Sequence, residues 1–155
     1  MKKLFVTIFV MLTTFSCGFK VVDQSKLINF SVSEIKTTGD KRINYKLKNK
    51  LFFMLTDNEK KLITLNLDTQ KIKNVKERNI KNEITKYQII INVNITLEDK
   101  VSKNIVLFTV KEKGDYTVAT QHSQTLNNEK RLIELLSDSL VEKILEELLI
   151  KINDI

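Results

Sequence analysis

The sequence predicts an α+β fold: a two-layer sandwich in which a four-stranded sheet carries two helices on one face, in the order β-α-β-β-β-α. Three observations lead there. Ile43, Leu47, Leu51 and Leu55 recur every four residues, the spacing of a single helix face. Tyr87, Ile89, Ile91, Val93, Ile95 and Leu97 alternate with Gln88, Asn92, Asn94, Thr96 and Glu98, as a strand with one apolar face requires, and Ile90 alone breaks the rule. Near the end, Leu132, Leu136, Leu140, Ile144, Leu148 and Ile152 form one apolar row beside a second of Ile133, Val141, Leu145 and Leu149, which makes a long amphipathic helix.

Ile28, Phe30, Val32 and Ile35 form a first short strand, closed by a turn at Thr37-Thr38-Gly39-Asp40. Asp40 is placed as the N-cap of the first helix, whose Lys46, Lys48 and Lys50 stand off the apolar stripe. In the second strand Ile63, Leu65 and Leu67 alternate with Thr64, Asn66 and Asp68, and the strand continues through Ile72 and Val75. The third is the alternating run through Leu97. Glu98-Asp99-Lys100 then turns into a fourth, Ile105 to Lys111, which carries Val106, Phe108 and Val110, and Gly114-Asp115 marks an irregular exit. In the closing helix Glu134, Asp138, Glu142 and Glu146 line the polar side, and Glu147 precedes Lys151 in the favourable order. Consecutive strands with short connections pair antiparallel. One sheet face is left polar, either wet or covered by a polar partner.

Ahead of this domain, Met1-Lys2-Lys3 and the uncharged run from Leu4 to Phe19 have the layout of a secretory signal. The run is shorter than the roughly 20 apolar residues that span a membrane. It ends in Thr14-Phe15-Ser16-Cys17-Gly18, which resembles a lipobox, with the small Ser16 before the cleavage point and the chain's only cysteine after it. Residues 1–16 are therefore expected to be a signal peptide, Cys17 the lipidation site, 17–25 a lipidated tether, and 26–155 one domain. Two or more acyl chains hold a protein firmly at a bilayer, since each buried methylene contributes about 0.8 kcal/mol. Gly18 stands where an aspartate would favour inner-membrane retention, which points to the outer membrane.

The formal charge of +7 falls to about +5 when Lys2 and Lys3 leave with the signal, still basic enough to favour anionic partners. Nucleic acid is disfavoured by the export signal. With one histidine, His122, and no cysteine beyond the lipidated one, a Ser-His-Asp triad has one possible base, and neither a Cys-His dyad nor a zinc site can be assembled. No phosphate loop, dinucleotide fingerprint or nucleophile elbow occurs. No enzymatic activity, no metal and no cofactor other than the lipid on Cys17 is expected. His122 falls in the polar 120–128 segment as a solvated side chain. Lys73, Lys76, Arg78, Lys81 and Lys86 cluster around the connection between the second and third strands, and Lys100, Lys103, Lys111 and Lys113 flank the next turn. Such clusters are either solvated surface or phosphate-binding.

The mature chain resembles the LPS-assembly lipoprotein family LptE, the outer-membrane partner of the LptD barrel. Three stretches carry the resemblance: Cys-Gly-Phe at 17–19, the tyrosine-led alternating strand Thr85 to Leu97, and the polar lead Asn127-Asn128-Glu129-Lys130-Arg131 into the last helix. The resemblance implies a lipid-anchored plug facing the periplasm or barrel lumen. Such a plug supports assembly of an LptD-like barrel and helps lipopolysaccharide reach the outer leaflet. It also implies lipopolysaccharide contact through basic residues near strand ends, for which Arg78 is the best-matching position, with Lys81 and Lys86 beside it; the family's second basic position falls near Leu126. Two alternatives are a free-standing periplasm-facing lipid carrier or chaperone lipoprotein, which needs an apolar cavity between helices and sheet, and a small hydrolase, which lacks nucleophile-base pairs.

Overall fold

The computed structural model describes residues 31–55 and 62–152. The expected signal segment, the expected lipidation site Cys17, the expected tether and the strand positions Ile28 and Phe30 lie outside the described residues. Within them the order is β1 (Ser31–Gly39), α1 (Lys41–Leu55), β2 (Leu62–Arg78), β3 (Ile84–Asp99), β4 (Ile105–Thr117) and α2 (His122–Ile152). The strands lie in the sequential order β1-β2-β3-β4, with β1 parallel to β2 and the other pairs antiparallel. This is the α+β sandwich that periodicity predicts.

Alternation decides which strand residues face the helices. Ile63, Leu65 and Leu67 of β2 and Ile89, Ile91, Val93, Ile95 and Leu97 of β3 form one buried cluster with Ile43, Leu47 and Leu51 of α1 and Leu140, Ile144 and Leu148 of α2. Removing each such side chain from water contributes about 1.5–3 kcal/mol. Both helices therefore cover one face. They are tied along their exposed flanks by Lys46 to Glu134, at 3.0 Å, and by Lys50 to Asp138.

Local chemistry sets the element ends. Asp40 is the N-cap: its Oδ1 accepts from Arg42 N at 3.0 Å and Ile43 N at 3.1 Å, meeting two of the donors that open a helix. The expected turn at Thr37-Thr38-Gly39 is instead the end of β1. Each of these residues still pairs with β2, and the chain reverses only at Gly39, whose φ of 90° suits a residue without Cβ. Asp40 N then donates to Thr69 O at 2.9 Å.

Three further boundaries differ from expectation. β2 runs on to Arg78 and β4 through Gly114-Asp115 to Thr117, because β3 offers both an antiparallel partner there, with register shifts in β2 on either side of Glu77. Polar strand ends carry no alternation to read. α2 begins at His122, well before the expected Asn127, in a stretch without apolar periodicity, and its Thr125 Oγ1 accepts from Ala119 N at 2.9 Å. His122 is exposed on this first turn rather than in a loop.

Candidate functional site

β1 pairs with β2 only from Leu62 to Thr69, so β2 from residue 70 onward has one strand neighbour among the described residues. Here β2, β3 and β4 project as a three-stranded ribbon beneath the first half of α2. The core-facing row places Val75, Tyr87 and Tyr116 side by side, and the next row Lys73, Ile89 and Gly114. Lys73 thus comes to lie on the helix-facing side, where Leu and Ile stand elsewhere.

Its charge is met there. Lys73 Nζ donates to Glu129 Oε2 at 2.7 Å, and Tyr116 Oη donates to the same oxygen at 2.7 Å. The ammonium also stands 4.4 Å from the ring centroid of Tyr87, which is stacked on Tyr116 at 5.6 Å. Burial pushes the Glu129 carboxyl up, but the hydrogen bonds from Lys73 and Tyr116 outweigh it and hold the group below its usual value. Burial likewise opposes the Lys73 charge, and the bonds to Glu129 and Tyr116 leave Lys73 raised. The quartet pins the ribbon to α2.

Past this clamp the β2–β3 hairpin ends in a turn built by Asn79. Its Oδ1 accepts from Lys81 N and Glu83 N, both at 2.9 Å, and Asn82 takes a φ of 65°, a conformation asparagine tolerates. The turn holds Ile80 fully exposed between Arg78 and Lys81. Arg78 Nη1 donates to Asn82 O at 2.8 Å, and neither Arg78 nor Lys81 has a carboxylate partner among the described residues.

Lys86, the third expected contact, is set apart from them. It sits in the ladder opposite Glu77, whose Oε2 accepts from Lys86 Nζ at 2.7 Å; this bond raises the Lys86 pKa and lowers that of Glu77. Lys76 is paired with Asp115, which also accepts from Gln88. The apparent cluster of five cations is therefore divided into three paired with carboxylates and two at the tip with no carboxylate partner among the described residues.

Lys86 also lines a shallow cleft of about 280 Å³ between the end of β4 and α2, with Thr117, Asn128, Arg131, Leu132 and Leu135. Arg131 has no carboxylate partner among the described residues, and Leu135 is 61% exposed. Sequence reasoning placed Arg131 only in the lead into the last helix, and Leu126, near the family's second basic position, is 53% exposed on the same helix. Neither the cleft nor the Lys73-Tyr87-Tyr116-Glu129 quartet has a local sequence signal. Their members lie on separate elements, and only the Tyr87 alternation pointed to the helix-facing side.

The other sheet face carries no helix among the described residues. It is a largely polar ladder: Thr38 Oγ1 donates to Asp68 Oδ1 at 2.9 Å, Thr109 Oγ1 to Asn94 Oδ1 at 2.9 Å, and Asn66, Gln70, Asn92 and Thr96 share the face with Ile72, Ile105 and Leu107, which are exposed on it. Lys111, at the expected end of the fourth strand, and Lys113, expected beyond it, both stand within β4 on this face. Among the described residues no group of His, Asp and Glu side chains is arranged to hold a metal ion.

No protein-family model and no curated protein matches the sequence. Solved structures do match the fold. Lipoprotein B of Nitrosomonas europaea is 13% identical, with a TM-score of 0.58 over 83% of this chain and 88% of that one. A minor lipoprotein of Acinetobacter baumannii is 14% identical, with a TM-score of 0.56 over 80% of this chain and 94% of that one. A candidate lipoprotein of Caulobacter crescentus is 16% identical, with a TM-score of 0.57 over 84% of this chain and 95% of that one. The chain has the fold that these lipoproteins share.

Proposed function

We propose that this protein is a lipid-anchored outer-membrane lipoprotein that acts as a plug and assembly factor of an LptD-like β-barrel and helps lipopolysaccharide reach the outer leaflet. The observation that carries the reading is the largely polar sheet face, which no helix covers among the described residues and on which Thr38 bonds Asp68 and Thr109 bonds Asn94. A hydrated barrel lumen is the environment such a face fits. The lipobox-like Cys17 and a fold shared with lipoproteins support the same reading. The free-standing carrier is less well supported, because the side chains between helices and sheet, Leu47, Leu65, Ile91 and Leu140 among them, are fully buried against one another in one cluster.

In this reading the β2–β3 tip meets the phosphorylated glycolipid. Arg78 and Lys81, which have no carboxylate partner among the described residues, supply positive charge, and Ile80 supplies an apolar contact for acyl chains. Lys86 contributes less, being engaged by Glu77.

Affinity purification in mild detergent tests the plug. Recovery of a large barrel protein in equal amount is expected, and recovery of a monomer carrying lipid would favour the carrier instead. For the tip, Arg78→Glu with Lys81→Glu is expected to weaken lipopolysaccharide binding about ten-fold, and Lys86→Ala to change it less than about two-fold. Equal effects would remove the tip from the proposal.

A further inference from the structure

The flank of α1 that faces away from α2 borders a second concavity, at the opposite margin of the sheet. A groove of about 490 Å³ lies between the end of β1, from Thr37 to Gly39, and the α1 side chains Lys41, Asn44, Tyr45 and Lys48. Among the described residues β1 pairs with β2 alone, so the backbone groups on its outer side have no strand to meet them.

Asn44 is the unusual member. It is 4% exposed, and its Nδ2 donates to Thr38 O at 2.7 Å. That bond fixes the amide, since the reverse orientation would set two oxygens against each other. Oδ1 is then a buried acceptor without a donor, and such an atom costs about 1–3 kcal/mol when left unmet.

The charges of the helix are also divided. Lys46 and Lys50 are neutralised by Glu134 and Asp138 of α2. Lys41 and Lys48, on the groove side, have no acidic partner among the described residues, and α1 itself contains no carboxylate. Tyr45 between them is 71% exposed.

We propose that this groove receives an extended acidic segment of a partner protein, which adds to β1 as a further strand. The strand edge asks for a ligand that alternates donors and acceptors, which polypeptide backbone does. A donor on that segment meets Asn44 Oδ1, and its carboxylates meet Lys41 and Lys48. A phosphate or lipid headgroup fits less well, because the site presents an unmet acceptor and strand carbonyls as well as ammonium groups.

The test uses the full chain in mild detergent and a fluorescein-labelled probe peptide of alternating valine and glutamate, read by anisotropy. Methylating alternate backbone amides of the probe, or replacing its glutamates by lysine, is expected to weaken binding about ten-fold or more. The Lys41→Glu, Lys48→Glu double variant is expected to lose the glutamate probe and gain the lysine one. Binding of the glutamate probe is further expected to slow amide hydrogen exchange at Thr37–Gly39. Four results would overturn the proposal: no binding by the glutamate probe, undiminished binding of the methylated one, full displacement by millimolar inorganic phosphate, or self-association of the chain that the double variant abolishes. The last would assign the groove to a second copy.

Discussion

Gly39→Ala is the substitution whose cost the structure sets most sharply. At φ 90° the backbone lies where L-residues are rarely found, and the added methyl would stand 2.9 Å from the Thr69 carbonyl carbon and closer still to its oxygen. The conformation alone costs about 1–2 kcal/mol for a residue with a Cβ. The clash is with backbone, so it is relieved only by parting the ends of β1 and β2, which disturbs the 2.9 Å bond from Asp40 N to Thr69 O and the cap of α1 with it. A lost backbone bond of this kind adds about 1 kcal/mol and a disturbed cap about another 1. The total is about 3–4 kcal/mol, a large share of the roughly 5–15 kcal/mol that holds a domain of this size.

Gly114→Ala is the internal control. Its new methyl would meet Leu132 Cδ1 at 2.6 Å, the far end of a side chain that can rotate, and no positive φ is involved. Reduced freedom of the unfolded chain offsets part of the crowding, so a net loss below about 1 kcal/mol is expected. Urea unfolding followed by circular dichroism reads both. At a slope of about 1–3 kcal/mol per molar, Gly39→Ala is expected to lower the midpoint by about 2 M. Equal shifts for the two variants, or a Gly39→Ala loss under about 1 kcal/mol, would refute the close approach of β1 to β2.

Three other outcomes are expected. Glu129 has a folded-state pKa below its usual 4.5, so its contribution is present above that value and lost as pH falls through the folded one. Glu129→Gln should cost about 1 kcal/mol near neutrality, discounted for the 39% exposure of Lys73, and flatten the acid limb of midpoint against pH below about 4.5. Asp40→Ala should cost about 1 kcal/mol by urea midpoint, and Asp40→Asn only a few tenths, because the amide oxygen can still accept from Arg42 N and Ile43 N. Cys17→Ser should move the protein out of the membrane fraction without changing its far-ultraviolet spectrum; persistence with outer membranes after a high-salt wash, with excess barrel partner excluded, would sink the lipid-anchor reading.

The core is legible in the sequence. The Ile43–Leu55 stripe, the Tyr87–Leu97 alternation and the apolar rows of residues 132–152 became the buried faces of α1, β3 and α2. What periodicity missed lies where the pattern lapses. The extension of β2 beyond Val75, the end of β4 and the first turns of α2 are polar on several sides, and neighbours rather than local pattern hold them in register. The expected contact residues show the same divide. Arg78, Lys81 and Lys86 read alike along the chain, yet the first two stand at a tip with no carboxylate partner among the described residues and the third is engaged by Glu77.

The sequence by itself determined the element order, the apolar set and the candidate anchor at Cys17, because helix and strand periods are short and write themselves into neighbouring residues. Only the tertiary structure decided that β1 lies parallel beside β2, that Lys73 is clamped by a glutamate 56 positions away, and that among the described residues Lys41 and Lys48 are left without acids while Lys46 and Lys50 have them. The reason is physical. Charge pairing and strand adjacency depend on distances across the packed layers, and those are set by the whole core at once rather than by any stretch of chain.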